Sequence, residues 1–169
     1  IRDMLRRSFN AGLAGAPLSL MAATESSPKP KIGIDLFSIR SSGLDAFGML
    51  DHAASLGAQL VHFSEIRFLG SLEDDHVRKV KAHADKLGIE LEVGMRSVCP
   101  TSKQFDPKQG TAEEQLGKVM RAAKLAGSKI VRAFLGTMDD RRGPIPIEGH
   151  MENTAKVLRN CRSMAQDMG

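Results

Sequence analysis

The stretches IELEVGMRSV, residues 89–98, and KIVRAFLG, residues 129–136, decide the fold. Successive side chains of a strand face opposite ways. In the first stretch Ile89, Leu91, Val93 and Met95 therefore share one face and Glu90, Glu92, Gly94 and Arg96 the other. In the second, Val131, Ala133 and Leu135 oppose Ile130, Arg132, Phe134 and Gly136. Two earlier runs, IGIDLFSI at 32–39 and AQLVHFSEI at 58–66, repeat the pattern. There Ile34 and Leu36 oppose Gly33, Asp35 and Phe37, while Val61 and Phe63 oppose His62 and Ser64. Each strand is expected to turn an apolar face to helices and to leave an ionisable group on the other: Asp35, His62, Glu92 or Arg132. An open sheet with helices on both faces would bury those charges at several kcal/mol per unpaired ion. A barrel interior lets them meet one another and a polar cavity, and it makes Glu92 and Arg132, on neighbouring strands, an expected ion pair.

Between the strands the chain reads as helix, and each helical stretch closes on a similar phrase: AASLG ending at Gly57, ADKLG at Gly88, AKLAG at Gly127 and AQDMG at Gly169. A glycine just past a helix supplies the left-handed cap that other residues adopt only with strain. Ser71-Leu-Glu-Asp74 and Thr111-Ala-Glu-Glu114 read as capping boxes at helix starts. Apolar stripes follow: Val77, Val80, Ala84 and Leu87; Leu116, Val119, Met120 and Ala123; and Met151, Ala155, Leu158, Cys161, Ala165 and Met168. Strand and helix alternating in units of 30 to 40 residues predict right-handed βαβ units and a parallel sheet. No G-x-G-x-x-G follows the first strand, which weighs against a doubly wound dinucleotide fold. The expectation is α/β, four βα units that curl as a βα barrel does over residues 31–169.

Composition agrees with one core. Of 169 residues 41% are hydrophobic, 26% charged and 4% aromatic, enough for a single packed domain. Net charge is +4, and three basic residues against one acidic in the first 23 leave only +2 elsewhere, too little to imply nucleic acid. Two cysteines, Cys99 and Cys161, exclude a disulfide-dense scaffold, and no Cys-x-x-Cys suggests zinc. The absence of Trp and Tyr removes an aromatic membrane belt.

Residues 1–23 read as an address. Arg6-Arg7-Ser-Phe9, followed by a short Gly- and Ala-rich apolar run, resembles a twin-arginine export signal. It implies a periplasmic or secreted protein with no membrane segment in its mature form. The run from Ala11 to Ala23 is too short to span a bilayer, which takes ~20 residues. Residues 24–30, TESSPKP, read as a polar linker.

With GIDLFSIR at the first strand, a Leu-Val-His-Phe-Ser-Glu run at the second, LEVGMRSVCP at the third and VRAFLG at the fourth, the sequence resembles the sugar phosphate isomerase/epimerase family. This is the xylose-isomerase-like group of TIM barrels, which also includes endonuclease IV. The resemblance implies eight βα units, of which this chain looks like the N-terminal half, and a small-molecule sugar or sugar phosphate as substrate, with Arg96 and Arg132 as candidates to orient an anionic substrate or a carboxylate. It implies isomerisation or epimerisation by proton transfer beside a carbonyl, polarised by a divalent metal (Mn, Mg, Zn or Co). The metal ligands and proton shuttles of the family lie on the fifth and later strands, so no metal ligand and no catalytic residue is assigned here, and the half is expected to be inactive alone. Ser64-Glu65 at the end of the second strand, with no His near the end of the third, argues against the DNA-repair branch.

A TIM barrel carries its site at the C-terminal ends of its strands. The candidate substrate-binding residues are therefore Phe37, Glu65, Arg96 and Arg132, with His62 and Glu92 deeper below. Cys99-Pro100 is expected to fix a loop, with no paired base beside Cys99. Glu148 and His150 are expected at a solvent-facing helix start, and Asp139-Asp140-Arg141-Arg142 as a self-neutralising solvated turn. A rival reading is a non-catalytic half-barrel, or a sugar-binding module without turnover, that pairs with a copy of itself as a homodimer or with a missing C-terminal half to cover its open strand edges.

Overall fold

The computed structural model describes residues 30–169. The expected export signal over 1–23 and nearly all of the linker lie outside the described residues. Four parallel strands, β1 (Gly33–Asp35), β2 (Leu60–Phe63), β3 (Glu90–Ser97) and β4 (Val131–Phe134), form one sheet in the order β1-β2-β3-β4. Between them run α1 (Ala46–Ser55), the short α2 (Ile66–Leu69), α3 (Asp74–Lys86) and α4 (Ala112–Leu125). After β4 come α5 (Met138–Arg141), α6 (Ile147–Asn160) and α7 (Arg162–Met168). Among the described residues no helix is long and apolar enough to cross a membrane.

Strand alternation places the core on one face of the sheet. Val61, Phe63, Leu91 and Val93 are buried against Leu50 and Ala53 of α1, Val77 and Val80 of α3, and Val119 and Ala122 of α4. Full burial of a side chain such as Phe63 stabilises the fold by about 1.5–3 kcal/mol. The four closing glycines hold the left-handed φ that their position demands, between +69° at Gly88 and +87° at Gly169. Thr111 caps α4 as a reciprocal box. Its Oγ1 accepts from the Glu114 amide at 3.2 Å, and Glu114 Oε2 accepts from the Thr111 amide at 2.8 Å.

Several local expectations are corrected. The first strand ends at Asp35, because its Oδ1 accepts from the Phe37 amide at 2.9 Å and starts a 3-10 turn over Leu36–Ile39. Phe37 thus stands above the sheet rather than in it. The Ser71–Asp74 capping box does not form. Glu73 is the N-cap of α3, and Ser71 Oγ accepts instead from the Glu73 amide. Asp74 is engaged elsewhere, receiving two bonds from Arg121 of α4 at 3.0 and 2.7 Å, and that guanidinium holds its carboxyl below the ordinary value.

The stripe expected on the last helix is also rotated. The buried positions of α6 are His150, Thr154 and Val157, whereas Met151 and Leu158 are about half exposed. A turn at Cys161 separates α6 from α7, so one continuous helical phase does not run through the segment. Met151 and Leu158 are exposed along with Ile130 beside β4 and Leu135 just beyond it.

Candidate functional site

Register decides which inward groups meet. Asp35 pairs with His62, and His62 with Glu92, so three titratable side chains stand in a row across β1, β2 and β3. Arg132 pairs with Gly94 rather than with Glu92. The expected Glu92–Arg132 ion pair is therefore absent: Arg132 is displaced two residues along the strand, roughly 6.6 Å. Glu92 faces His62 instead, with Oε2 3.3 Å from Nδ1. The two atoms are out of line for a hydrogen bond, and His62 Nδ1 is buried without one among the described residues. The Arg132 guanidinium lies 5.5 Å from the Phe134 ring centre on its own strand.

The strict alternation of β3 breaks near its end. Gly94 opposes Arg132 and Ser97 opposes Phe134, so β3 spends three steps where β4 spends two. This is a bulge, and it inserts one residue into the strand. Arg96 is consequently exposed on the bulge instead of continuing the Glu92 face, and its guanidinium bonds the Gln104 side chain in the following loop.

Above the row, at the C-terminal ends of all four strands, lies a cavity of about 880 Å³. Its wall includes Asp35 at the end of β1 and Phe37 after it, Ser64 and Glu65 after β2, Arg96 and Ser97 on β3, and Arg132 and Phe134 on β4. Phe37, Glu65, Arg96 and Arg132 are thus brought together as expected from sequence. His62 and Glu92 are not on its wall and form the layer beneath. Sequence reading did not single out Gln104, Asp106 and Gln109, which reach the cavity from the long β3–α4 connection, or Gln115 in the first turn of α4. The only signal for the first three was the polar composition of that loop.

The acidic groups on the wall are already engaged. Glu65 accepts from Arg67 Nε at 2.7 Å. Asp35 caps the 3-10 turn. Asp106 accepts from the Gln109 side chain and the Lys108 amide, which hold its carboxyl below the ordinary value. Ser64 Oγ is buried with no hydrogen-bond partner among the described residues, an unspent polar group at the cavity floor. Hydroxyl and amide groups lining the same cavity as Phe37 and Phe134 suit a molecule bearing both hydroxyls and C–H faces. Among the described residues no group of three or more His, Cys, Asp or Glu side chains is arranged to hold a metal ion. The divalent metal that the resemblance implies does not fit these residues, and no step is derived through it.

The rim is held by side chains that the sequence reading misjudged. Asp140 is buried, not solvated. It accepts from the Lys103 amide at 2.7 Å, the Thr137 amide at 2.7 Å and Ser102 Oγ at 2.9 Å, and the backbone donors above all bring its carboxyl down to about 2. It ties the loop after β3 to the segment after β4. His150 is buried too, and a base does stand beside Cys99: His150 Nδ1 is 3.7 Å from the sulfur and 2.8 Å from Thr101 Oγ1. Burial pushes the Cys99 thiol up, but hydrogen bonds from Thr101, Thr154 and His150 outweigh it and leave the thiol below its ordinary value. Cys99 is fully enclosed, so the cluster pins α6 to the β3 loop instead of offering a nucleophile.

The fold is α/β, half of a TIM barrel. The chain is similar in structure to a D-psicose 3-epimerase solved in the presence of D-fructose, with TM-score 0.65 and 13% identity. It is likewise similar to a D-psicose 3-epimerase from Clostridium cellulolyticum H10 solved with D-tagatose, with TM-score 0.64 and 17% identity. Each match covers 83% of this chain and 50% of the other, so the chain spans about half the length of the structures it matches. No protein-family model matches the sequence, and no curated protein matches it.

Proposed function

We propose that the chain is the N-terminal half of a sugar isomerase or epimerase and supplies part of the wall that binds a sugar while a proton is moved beside its carbonyl. The observation that carries this reading is the cavity at the C-terminal strand ends of a fold shared with two ketose epimerases. Ser64, Glu65 and Ser97 bond sugar hydroxyls, Phe37 and Phe134 pack on C–H faces, and Arg96 orients the chain of the sugar. His62 and Glu92 support the floor. No proton-transferring residue is assigned among the described residues. The Arg6-Arg7 motif supports export to the periplasm or beyond, a reading tested by whether Arg6→Lys with Arg7→Lys retains a fused reporter in the cytoplasm.

Titration of the isotope-labelled chain with D-fructose and D-psicose tests the binding. Amide shifts at Ser64, Ser97 and Thr137 are expected, and no shift at sugar concentrations on the order of 100 mM overturns the reading. The 169 residues are expected to bind without exchanging the carbon-bound proton in heavy water. The product of the complete reading frame is expected to exchange it.

A second reading has one observation in its favour. Ile130 and Leu158 are exposed near β4, and among the described residues β4 pairs only with β3 and β1 only with β2, so both edges of the sheet are unpaired there. Two copies of a four-stranded half-barrel would close eight strands by pairing each β4 with the partner's β1. A concentration-independent monomer in analytical ultracentrifugation removes this reading.

A further inference from the structure

We infer that Asp140 is a positioning residue for the cavity, fixing Gln104 on one side of its mouth and Thr137 on the other. This rests on the proposed sugar-binding role and says how that site keeps its shape before a ligand arrives.

The acid three places into a capping box closes a helix start, and at most helix starts it otherwise meets water. Asp140 holds that place after Thr137, yet it is only 6% exposed and reaches beyond its own turn. Its Oδ2 accepts from the Thr137 amide at 2.7 Å, from Thr137 Oγ1 at 3.3 Å and from Ser102 Oγ at 2.9 Å. Its Oδ1 accepts from the Lys103 amide at 2.7 Å. A carboxylate offers about four acceptor sites, so these donors fill it and leave none for a ligand. Asp140 therefore acts through its neighbours, joining two segments that lie 37 and 38 residues apart in the chain.

Both segments carry cavity wall. Thr137 lines the cavity itself. Ser102 Oγ, while donating to Asp140, accepts from the Gln104 amide at 3.0 Å, and the Gln104 side chain accepts from Arg96. Gln104 and Arg96 both line the cavity, so the line of bonds from Asp140 through Ser102 orders two more wall residues. Gly136 leaves the room that this clamp needs. A Cβ there would collide with Asp140 Oδ2 and stand 3.2 Å from Ser102 Oγ. The φ of Gly136 is not left-handed, so the glycine answers to space and not to backbone conformation. A wall ordered in advance spares a ligand the entropy of ordering the β3–α4 loop on binding.

NMR titration of the full chain and its variants with D-fructose and D-psicose, well below their melting temperatures, tests this. Asp140→Ala is expected to weaken binding on the order of tenfold, and Asp140→Asn, which keeps one acceptor oxygen, by less. Ser102→Ala leaves the carboxylate in place but breaks the line to Gln104. It should weaken binding too and shift the Gln104 side-chain amide signals. Gly57→Ala is the control, since it strains a helix end before β2, at the opposite end of that strand from the cavity. It should lower stability and leave affinity unchanged. Circular dichroism melts report whether each variant folds, and where Asp140→Ala does not, Asp140→Asn and Ser102→Ala decide the matter. Folded clamp variants that bind as tightly as the parent, or that lose no more affinity than Gly57→Ala, overturn the inference and leave the proposed function standing. Failure of the unaltered chain to bind either sugar overturns both.

Discussion

His62 Nδ1 stands 3.3 Å from Glu92 Oε2, side by side on β2 and β3, beneath the cavity and away from the helices. The ring is buried and the carboxylate about one-third exposed, so the contact is neither fully screened nor dry. Because the atoms are out of line for a hydrogen bond, the interaction is coulombic and exists only when the ring is protonated. A double-mutant cycle with His62→Phe and Glu92→Gln is expected to give a coupling of about 0.5–1 kcal/mol in favour of the pair. Urea unfolding followed by circular dichroism measures it, since the chain has no Trp or Tyr to report by fluorescence. A coupling near zero would make the pair a consequence of register alone.

Asp140 gives the clearest pH dependence. The Lys103 and Thr137 amides bring its carboxyl down to about 2 in the folded chain, below the ordinary carboxylate value it has without those donors. A depressed folded value means that the unfolded chain binds the proton first as pH falls. The contribution of Asp140 is therefore complete above the unfolded value and is lost as pH falls through about 2. Asp140→Asn is expected to lower the melting temperature by several degrees near neutrality. It should also flatten the loss of stability between pH 4 and pH 2, as read from melts across that range. An unchanged acid profile would show that the buried carboxylate is incidental to the rim.

The layout of strands, helices and apolar faces was legible because it depends on local periods: two for strands, near 3.6 for helices, and a glycine at each helix end. The pairings were less legible because they depend on register, which no single strand states. Glu92 and Arg132 were correctly placed on the inner face, yet a two-residue offset separates them. The bulge at the end of β3 then undid the alternation that carried Arg96. Asp140 and His150 were misread for a related reason. Their neighbours in sequence are charged or polar, and only the tertiary approach of the β3 loop encloses them. The rotated face of α6 shows the same limit, since periodicity finds an apolar stripe but not the surface it meets.

The two expected capping boxes behave differently, and the difference is measurable. Thr111 and Glu114 exchange both bonds, whereas Ser71 accepts only from the Glu73 amide ahead of α3. Thr111→Ala removes a side-chain acceptor from the first turn of α4, whose inner face packs on β3, and is expected to cost about 1 kcal/mol. Ser71→Ala removes a turn contact outside the helix and is expected to cost less than half of that. Equal losses in urea unfolding would mean that the Thr111 box contributes nothing beyond an ordinary turn.

Gly94 and Gly57 are both expected to resist replacement by alanine, but for opposite reasons. Gly57 has φ +75° with open space around its missing Cβ, so Gly57→Ala strains only the backbone and should cost about 1–2 kcal/mol. Gly94 lacks a left-handed φ, and a Cβ there would press to 2.9 Å on the carbonyl oxygen of Ser64 and to 3.2 Å on that of Arg132. Those atoms belong to the backbone of the neighbouring strands and cannot swing aside, so β2 and β4 must separate around β3. Gly94→Ala is expected to cost about 1–3 kcal/mol by overpacking. It should also shift the amides of Ser64 and Arg132, while Gly57→Ala leaves both in place. A Gly94→Ala chain as stable as the parent, with those two amides unmoved, would mean that the sheet is looser at its centre than these distances require. The cavity floor would then be free to adjust to its ligand.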